Sequence, residues 1–349
     1  MIKMNKILVT GGCGYIGSHT VVALIENNFD VTIIDDLSNS NEKIVNQIEQ
    51  ITGVKPHFVK LDLKSQIDTE IFFKTNDKFD AVIHFAAYKA VGESVKQPIE
   101  YYKNNLVSII NLLEHQQKNN CNNIIFSSSA TVYGEPQQLP ITENEATKRP
   151  FSPYGNTKKI AEEILEDCAK ANSNFSAIAL RYFNPIGAHA SGLIGELPNG
   201  IPNNLMPYIT QTASGIREKL MVFGNDYPTN DGTAIRDYIH VVDLAQAHVK
   251  AVKRLLDKKQ KTNFEVFNLG TGNGYSVLEI ITTFEKVNHL KLNYEIAPRR
   301  DGDVPMLFAS TDLAENELNW KAKYKLKEMI ESSWKWEQYY QTNKNFINE

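Results

Sequence analysis

A tyrosine and a lysine four residues apart, Tyr154 and Lys158, are the pair in this chain best suited to acid–base chemistry. They follow Pro153, which favours the first turn of a helix, so both side chains should project from one helical face. A free phenol has a pKa of about 10 and is a poor base at neutral pH. A cation about 4 Å away, at an effective dielectric of about 20, stabilises the phenolate by roughly 4 kcal/mol, enough to lower that pKa by about three units. The spacing therefore predicts a tyrosine that Lys158, together with the positive charge of a bound cofactor, activates as a general base.

Three consecutive serines, Ser127, Ser128 and Ser129, follow a predicted strand just before that helix. The carboxyl ends of parallel strands are where doubly wound sheets bind ligands. A serine hydroxyl there can hydrogen-bond both a substrate hydroxyl and Tyr154. We expect Ser129 to be functional and the other two to be structural.

A glycine-rich segment, GGCGYIG at residues 11–17, lies between the first predicted strand and the first predicted helix. Its glycines let backbone N–H groups approach a pyrophosphate, and the helix N-terminus adds partial positive charge. Asp35 ends the second predicted strand, where a carboxylate can accept hydrogen bonds from adenosine ribose hydroxyls. Asp35 and the neighbouring Asp36 would also repel a 2′-phosphate. The order of strand, loop, helix, strand and acid predicts a dinucleotide site that takes NAD in preference to NADP.

Apolar, β-branched runs alternate with helical patterns through the first half of the chain, which predicts an α/β fold: a doubly wound parallel (Rossmann) sheet with a smaller mixed α/β domain. We expect residues 1–183 and 236–270 to form the dinucleotide-binding domain, and 184–235 and 271–349 the second domain. Strands are predicted at residues 6–10, 31–35, 57–60, 81–85, 123–127, 176–181, 237–239 and 266–269. Helices are predicted at residues 15–28, 42–51, 98–118, 153–172, 205–214, 241–256, 276–287 and 326–340.

Composition excludes several classes of function. The chain has 349 residues, with 37 Lys and Arg against 41 Asp and Glu, and no basic stripe that would suit nucleic acid. No apolar run approaches the roughly 18 residues that span a bilayer. The three cysteines, Cys13, Cys121 and Cys168, have neither metal spacing nor a disulfide pattern. We expect a cytoplasmic protein with no metal, nucleic-acid or membrane partner.

Taken together, the glycine loop, the serine run and the Tyr154–Lys158 pair resemble the extended short-chain dehydrogenase/reductase family. Longer segments are similar to the UDP-galactose (UDP-glucose) 4-epimerases of that family, and the likeness runs from Lys6 to about Trp336. The resemblance implies reversible inversion of UDP-glucose and UDP-galactose at C4, through a 4-keto intermediate, with tightly bound NAD. It also implies a homodimer paired through the helices at 98–118 and 153–172. The segments that carry it are HFAAYKAVGES at 84–94, RYFNP at 181–185, GIPNNLMPY at 200–208 and RDYIHV at 236–241.

The resemblance also implies roles for single residues. Ser129 would hold the sugar 4-hydroxyl and relay its proton to Tyr154, while Lys158 would bond the nicotinamide ribose. Arg236 and Arg300 would hold the diphosphate through charge-assisted hydrogen bonds. Cofactor contacts are implied for Gly11, Gly14, Tyr15, Ile16, Gly17, Asp35, Asp36, Asp62, Leu63, Phe85, Ala86, Lys89, Asn104, Ser129, Tyr154, Lys158 and Phe183. Substrate contacts are implied for Ser129, Tyr154, Asn184, Asn204, Leu205, Phe223 (on uracil), Arg236, Arg300, Asp303 (on the uridine ribose) and Leu307.

Three alternatives to this function need separate consideration. Sugar-nucleotide 4,6-dehydratases of the same family carry an acid–base pair where this chain has Ala130 and Thr131, so the sequence favours epimerisation. Leu307 would line the far wall of the sugar pocket, and its side chain is intermediate in size between a bulky aromatic residue and a small one. UDP-N-acetylhexosamines, and UDP-pentose or uronate analogues, therefore stay open as substrates. A non-catalytic NAD-binding regulator is a third possibility, against which the presence of both Tyr154 and Lys158 argues.

Overall fold

The computed structural model describes residues 4–76, 78–300 and 303–348, with side chains up to residue 343. Its strands are β1 (Lys6–Thr10), β2 (Asp30–Asp35), β3 (His57–Lys60), β4 (Ala81–His84), β5 (Asn123–Ser129), β6 (Ser176–Tyr182), β7 (Asn184–Ile186), β8 (Leu220–Phe223), β9 (Ile235–His240), β10 (Phe264–Leu269), β11 (Gly274–Ser276), β12 (Tyr294–Ala297) and β13 (Met306–Leu307). Its α-helices are α1 (Tyr15–Glu26), α2 (Lys43–Thr52), α3 (Gln66–Thr75), α4 (Val91–Lys96), α5 (Pro98–Lys118), α6 (Pro153–Ala171), α7 (Leu205–Ala213), α8 (Val241–Leu256), α9 (Val277–Asn288), α10 (Asp312–Leu318) and α11 (Leu326–Asn348).

A seven-stranded parallel sheet, in the order β10-β6-β5-β4-β1-β2-β3, forms the larger part of the molecule. Its central strands are apolar on both faces, and Ile7, Leu8 and Val9 of β1 are fully buried. Helices α1, α2 and α8 cover one face, and α3, α5 and α6 cover the other. Burial on both faces explains why these strands read as continuous apolar runs in the sequence. The predicted doubly wound sheet is confirmed.

A smaller unit is built around β9, which pairs with β7 and β13 in parallel and with β11 in an antiparallel manner. Beside it, β8 and β12 form a two-stranded parallel sheet. Apolar residues of α7, α9 and α11 make the core of this unit. The chain passes from β9 directly into α8, which packs against the large sheet, so the two units are joined at His240–Val241.

The structure differs from the sequence predictions mainly where elements are short or polar. Helix α3 was not predicted, because Ile67 and Ile71 are exposed and blur its amphipathic pattern, although Ser65 caps its N-terminus by accepting a hydrogen bond from Asp68 N. The short elements β7, β8, β11, β12, β13, α4 and α10 were not predicted either. No helix in the described ranges is both long and apolar enough to cross a membrane.

Candidate active site

The glycine loop forms a close-packed turn between β1 and α1. Gly11 has a φ of +69°, and a Cβ there would lie 2.7 Å from the backbone nitrogen of Ala86. A Cβ on Gly17 would overlap the carbonyl oxygen of Gly11. Gly14 caps α1 without a side-chain hydrogen bond, and the first turn of α1 carries no acidic residue. The N–H groups at the start of α1 are thus placed to receive an anion such as a pyrophosphate.

Asp35, at the end of β2, sits beside this loop and is mostly buried. Its carboxylate accepts hydrogen bonds from the backbone nitrogens of Cys13 and Leu37, both at 3.0 Å, and from Ser40 Oγ at 2.7 Å. Burial raises the pKa of this carboxyl, while the three hydrogen bonds lower it. Because the Cys13 bond comes from the glycine loop itself, the acid and the loop form one structural unit. The neighbouring Asp36 is bonded to Ser38 and lies near the surface.

Two further predicted cofactor residues are joined by a lysine that the sequence analysis did not single out. Lys64 Nζ donates to Asn104 Oδ1 at 2.9 Å and lies 3.4 Å from Asp62 Oδ2. Leu63 is buried, and its carbonyl accepts a hydrogen bond from Asn111 at 2.8 Å. Asn104 is therefore held on α5 beside the segment that follows β3.

Other predicted cofactor residues connect the large sheet to the smaller unit. Tyr15 donates a hydrogen bond to the carbonyl of Gly187 at 2.6 Å. Lys89 Nζ lies 6.0 Å from the centre of the Tyr15 ring and forms an ion pair with Glu196 at 3.1 Å. The same Glu196 carboxylate accepts a hydrogen bond from Asn204 at 2.6 Å. Glu196, which was not predicted, thus links Lys89, a predicted cofactor residue, to Asn204, a predicted substrate residue. Ile16 and Phe85 are half-buried against the core under this edge, and Phe183 is buried.

Tyr154 and Lys158 lie on the first turns of α6, as the sequence predicts. Ser152 caps this helix by accepting a hydrogen bond from Gly155 N at 3.2 Å, and Pro153 occupies its first position. Lys158 Nζ lies 5.9 Å from the centre of the Tyr154 ring. It also donates to the carbonyl of Ser127 at 2.7 Å, which ties the lysine to the carboxyl end of β5.

Burial changes the acidity of both residues of this pair. Burial raises the pKa of Tyr154 to about 12, and the contact with Ser129 is what lowers it. Burial also lowers the pKa of Lys158 to about 7, against the opposing charge of Glu162. Burial thus acts against the ionised form of each side chain. The expectation that Lys158 and the positive charge of an oxidised nicotinamide together lower the pKa of Tyr154 concerns the protein with NAD bound, and it stays a prediction.

The three serines have different partners. Ser127 Oγ is bonded to the Tyr182 hydroxyl, and Ser128 Oγ donates to Glu162, which in turn pairs with Arg181. Ser129 Oγ accepts hydrogen bonds from the backbone nitrogen and the hydroxyl of Thr131, at 3.2 and 3.0 Å. Of the three serines, Ser129 is the one that lowers the pKa of Tyr154.

A cavity of about 370 Å³ opens in the smaller unit and contains most of the predicted substrate residues. The guanidinium of Arg300 stacks on the ring of Phe223, 4.0 Å from its centre. Arg236 forms an ion pair with Asp303, whereas the two were predicted to contact different parts of the substrate, the diphosphate and the uridine ribose. Tyr208, Tyr238 and Val277 also line the cavity and were not predicted; the predicted residues on its wall are Asn184, Asn204, Leu205, Phe223, Arg236, Arg300 and Asp303.

Leu307 is not on the wall of this cavity. It lies on β13 in register with Arg236, and it packs against the buried cluster that includes Tyr133, Phe183 and Ala309. Leu307 thus sits between the cavity-lining strand β9 and the segment that follows β5. No group of three His, Cys, Asp or Glu side chains in the described part of the chain could hold a metal ion.

Comparison with known proteins gives consistent matches over nearly the whole chain. A sequence model of the family described as GDP-mannose 4,6 dehydratase matches residues 8–333. The UDP-glucose 4-epimerase of Bacillus subtilis is 51% identical over 331 residues, which cover 95% of this chain and 96% of that protein.

Two solved structures are similarly close. One is a UDP-glucose 4-epimerase from Stenotrophomonas maltophila with bound NAD and formylated UDP-arabinopyranose, with a TM-score of 0.93, 46% identity, and 97% of this chain and 99% of that chain covered. The other is a UDP-glucose 4-epimerase from Bifidobacterium longum in complex with NAD+ and UDP, with a TM-score of 0.91, 47% identity, and 98% and 99% covered. Identity at this level across both full lengths goes well beyond a shared fold, and it confirms the resemblance stated from the motifs. The chain belongs to the dehydratase-type family that the sequence model describes and, within it, to the UDP-glucose 4-epimerases.

Proposed function

We propose that this chain reversibly inverts UDP-glucose and UDP-galactose at C4, through a 4-keto intermediate, with NAD as a tightly bound cofactor. The observation that carries the proposal is that Tyr154, Lys158 and Ser129 meet at the carboxyl end of β5. This is the same sheet edge that carries the glycine loop after β1. In doubly wound sheets, ligands bind at that edge.

The residues at this edge fit NAD. Gly11 and Gly17 let the loop pack directly against Ala86 and against its own backbone, where a Cβ would clash, and this tight turn leaves the N–H groups at the start of α1 facing a pyrophosphate. Asp35 would bond the adenosine ribose, with Asp62, Leu63 and the other implied contacts around it. When bound, NAD supplies the hydride acceptor, and afterwards the hydride donor, for C4 of the sugar.

The chain's own residues move the proton and hold the substrate. Tyr154 takes the proton of the sugar 4-hydroxyl and later returns it. Ser129 lowers the pKa of Tyr154, and a protonated Lys158, whose Nζ lies 5.9 Å from the centre of the Tyr154 ring, also favours the phenolate that this step requires. Arg236 and Arg300 hold the diphosphate, so the sugar itself can be bound loosely enough to turn over between the two half-reactions.

Incubation of the purified protein with UDP-galactose tests this function. The anomeric proton signals, followed by NMR, should show UDP-glucose forming until equilibrium is reached. No NAD should need to be added to the mixture, because the protein retains its own. A protein that retains NAD and binds UDP but produces no UDP-glucose would instead support a non-catalytic NAD-binding role.

A second candidate is a wider substrate range that includes UDP-pentoses and UDP-N-acetylhexosamines. It is favoured by Leu307, whose side chain is smaller than an aromatic ring at this position, and by the UDP-arabinopyranose derivative in the Stenotrophomonas relative. Turnover of each sugar nucleotide by the same preparation distinguishes the two candidates.

Replacing Leu307 with tyrosine is expected to narrow that range. Leu307 lies between β9 and the segment that follows β5, and we propose that the sugar binds beside it, outside the cavity that would hold the nucleotide. A larger ring there should cost bulky substrates more transition-state binding than UDP-glucose. We expect kcat/KM for UDP-N-acetylglucosamine to fall at least about tenfold relative to UDP-glucose, since a misfit of about one group in a pocket is worth about 1–3 kcal/mol. Leu307→Ile, which conserves volume, is the control. If Leu307→Tyr leaves the ratio of the two kcat/KM values unchanged, residue 307 does not border the sugar.

We further propose a homodimer, a cytoplasmic location and a division into two domains, residues 1–183 with 236–270 and 184–235 with 271–349, except that β9 (Ile235–His240) belongs to the smaller unit, where its pairing partners lie. Helices α5 and α6 pack side by side, and Ile99 and Ile110 of α5 leave large apolar side chains exposed, which supports pairing through this face. Free cysteines support a reducing compartment. Sedimentation should give about twice the chain mass of 39.5 kDa; a single species at the chain mass would contradict the dimer.

A further inference from the structure

Glu196 lies at the junction between the predicted cofactor residues and the predicted substrate residues. One oxygen of its carboxylate, Oε1, accepts a hydrogen bond from Asn204 Nδ2 at 2.6 Å and pairs with Lys89 Nζ at 3.1 Å. The Glu196 side chain is only 11% exposed, and it is not among the side chains that line the cavity. A single carboxylate oxygen therefore holds one residue from each of the two sites.

The backbone of Glu196 is held in place by α11. The indole Nε1 of Trp336 donates a hydrogen bond to the Glu196 carbonyl at 3.0 Å, and this tryptophan is buried. A Cβ built on Gly195 would lie 2.3 Å from the Trp336 ring, so only glycine lets the chain approach the ring so closely. Lys89 and Asn204, by contrast, are both exposed. Glu196 is thus a fixed point that holds two side chains which solvent would otherwise leave free to move.

Asn204 makes an unusual use of its position in the chain. It is the N-cap residue of α7, where asparagine typically accepts a hydrogen bond from one of the helix's first N–H groups. Its side chain makes no such bond and donates to Glu196 instead. Because Glu196 keeps the Asn204 side chain from capping α7, the first N–H groups of this helix stay available at the wall of the cavity, which Asn204 and Leu205 both line.

The negative charge of Glu196 is unfavourable for the ligands on both sides of it. Under the proposed function, the pyrophosphate of NAD lies near Lys89 and the diphosphate of the substrate lies near Asn204. A carboxylate repels both anions. If Glu196 acted only through its charge, both ligands would bind more tightly without it. If it acts by holding Lys89 and Asn204, both ligands would bind more weakly without it.

We infer that Glu196 is a positioning residue for both ligands. It orients Lys89 toward the cofactor, and it keeps Asn204 from capping α7, so that the start of this helix can receive the substrate diphosphate. The inference rests on the proposed function and extends it to a residue that acts through its two neighbours.

The test compares Glu196→Gln with Glu196→Ala in the NAD-loaded protein. Glutamine keeps an oxygen that can accept from Asn204 but loses the charge that pairs with Lys89. The Kd for UDP should therefore stay within about threefold of the wild-type value, while NAD dissociates about fivefold faster. Alanine removes both contacts, so the Kd for UDP should rise about tenfold and NAD should also dissociate faster. Calorimetry gives the Kd, and the NAD that stays with the protein through repeated dilution and concentration gives the rate of loss.

Glu285→Gln is the matched control for the loss of a glutamate–lysine pair. Glu285 Oε2 lies 2.8 Å from Lys291 Nζ, and its side chain is 15% exposed, but it stands near the end of α9. Both measurements should keep their wild-type values in this variant. A Kd for UDP that is unchanged or lower in Glu196→Ala would overturn the inference, as would an equal rise in Glu196→Gln and Glu196→Ala.

A double variant shows whether Glu196 acts on UDP through Asn204. An alanine at position 204 cannot cap α7, so Glu196→Ala combined with Asn204→Ala should bind UDP no more weakly than Asn204→Ala alone. Additive losses of UDP affinity would contradict the inference. Neither binding measurement depends on turnover. A wild-type protein that binds UDP but does not interconvert the two sugars would therefore count against the proposed function and not against the role of Glu196.

Discussion

Replacement of Tyr154 with phenylalanine is expected to lower kcat for the interconversion of UDP-glucose and UDP-galactose by about 10²–10⁴-fold, the usual contribution of a general base. Phenylalanine fills the same space on α6 but has no oxygen to take the proton of the 4-hydroxyl. The neighbouring Lys158 cannot substitute, since its amine is held by the carbonyl of Ser127 at the end of β5. Initial rates with UDP-galactose, measured at saturating substrate, give the ratio directly.

Tyr102→Phe is a suitable control for this variant. Tyr102 also touches α6, where its hydroxyl accepts a hydrogen bond from Asn156 at 2.7 Å, but it has no place in the proton path. We expect it to stay within about threefold of the wild-type rate, the loss of one ordinary hydrogen bond. Both variants should retain NAD and bind UDP. Full activity in Tyr154→Phe would remove the tyrosine from the mechanism and, with it, the basis of the proposed function.

The architecture was largely predictable because the strongest signals in the sequence come from burial. Strands such as β1 and β4 are covered on both faces, so they appear as unbroken apolar runs between helical patterns. The smaller unit was harder to predict because its strands are short and pair with distant partners. Strand β8, for example, is only four residues long and pairs with β12 about seventy residues later, and β12 is mostly exposed.

The candidate site divides in the same way between local and long-range information. The glycine loop and the Tyr154–Lys158 pair could be predicted because each is formed by residues close together in the sequence. Their spacing alone indicates what they can bind or catalyse. The pKa values could not be predicted from the sequence, since they depend on burial, which raises the pKa of Tyr154 and lowers that of Lys158. Thr131, Lys64 and Glu196 were not predicted, because the role of each depends on its contacts in the folded chain. Thr131 bonds the Ser129 hydroxyl, Lys64 bonds Asn104, and Glu196 joins Lys89 to Asn204.

Arg300 offers the second large effect, on substrate binding. Its guanidinium stacks on Phe223 at the wall of the cavity, where it is held in a fixed position to meet a diphosphate. Arg300 is exposed in the structure, and a bound diphosphate would cover it; losing one partner of a charge pair covered in this way typically costs about 2–5 kcal/mol. We therefore expect Arg300→Ala to raise the Kd for UDP, measured by calorimetry on the NAD-loaded protein, by about 30-fold or more. KM for the sugar nucleotide should rise with it, while kcat at saturation changes little, since the arginine holds the nucleotide and not the reacting carbon.

The adjacent residue provides a matched control, because Arg299 has the same charge and also stacks on a ring, that of Tyr227 at 4.1 Å. Its ion pair with Asp226 is exposed to solvent, and it is not among the side chains that line the cavity. Exposed pairs of this kind contribute about 0–1 kcal/mol, so Arg299→Ala should change the Kd for UDP by no more than about fivefold. General attraction between a basic surface and a diphosphate would weaken equally in the two variants. An equal rise in the Kd for UDP in both variants would therefore contradict a specific phosphate contact by Arg300. If Arg300 makes that contact from its place on the Phe223 ring, only Arg300→Ala should raise the Kd strongly.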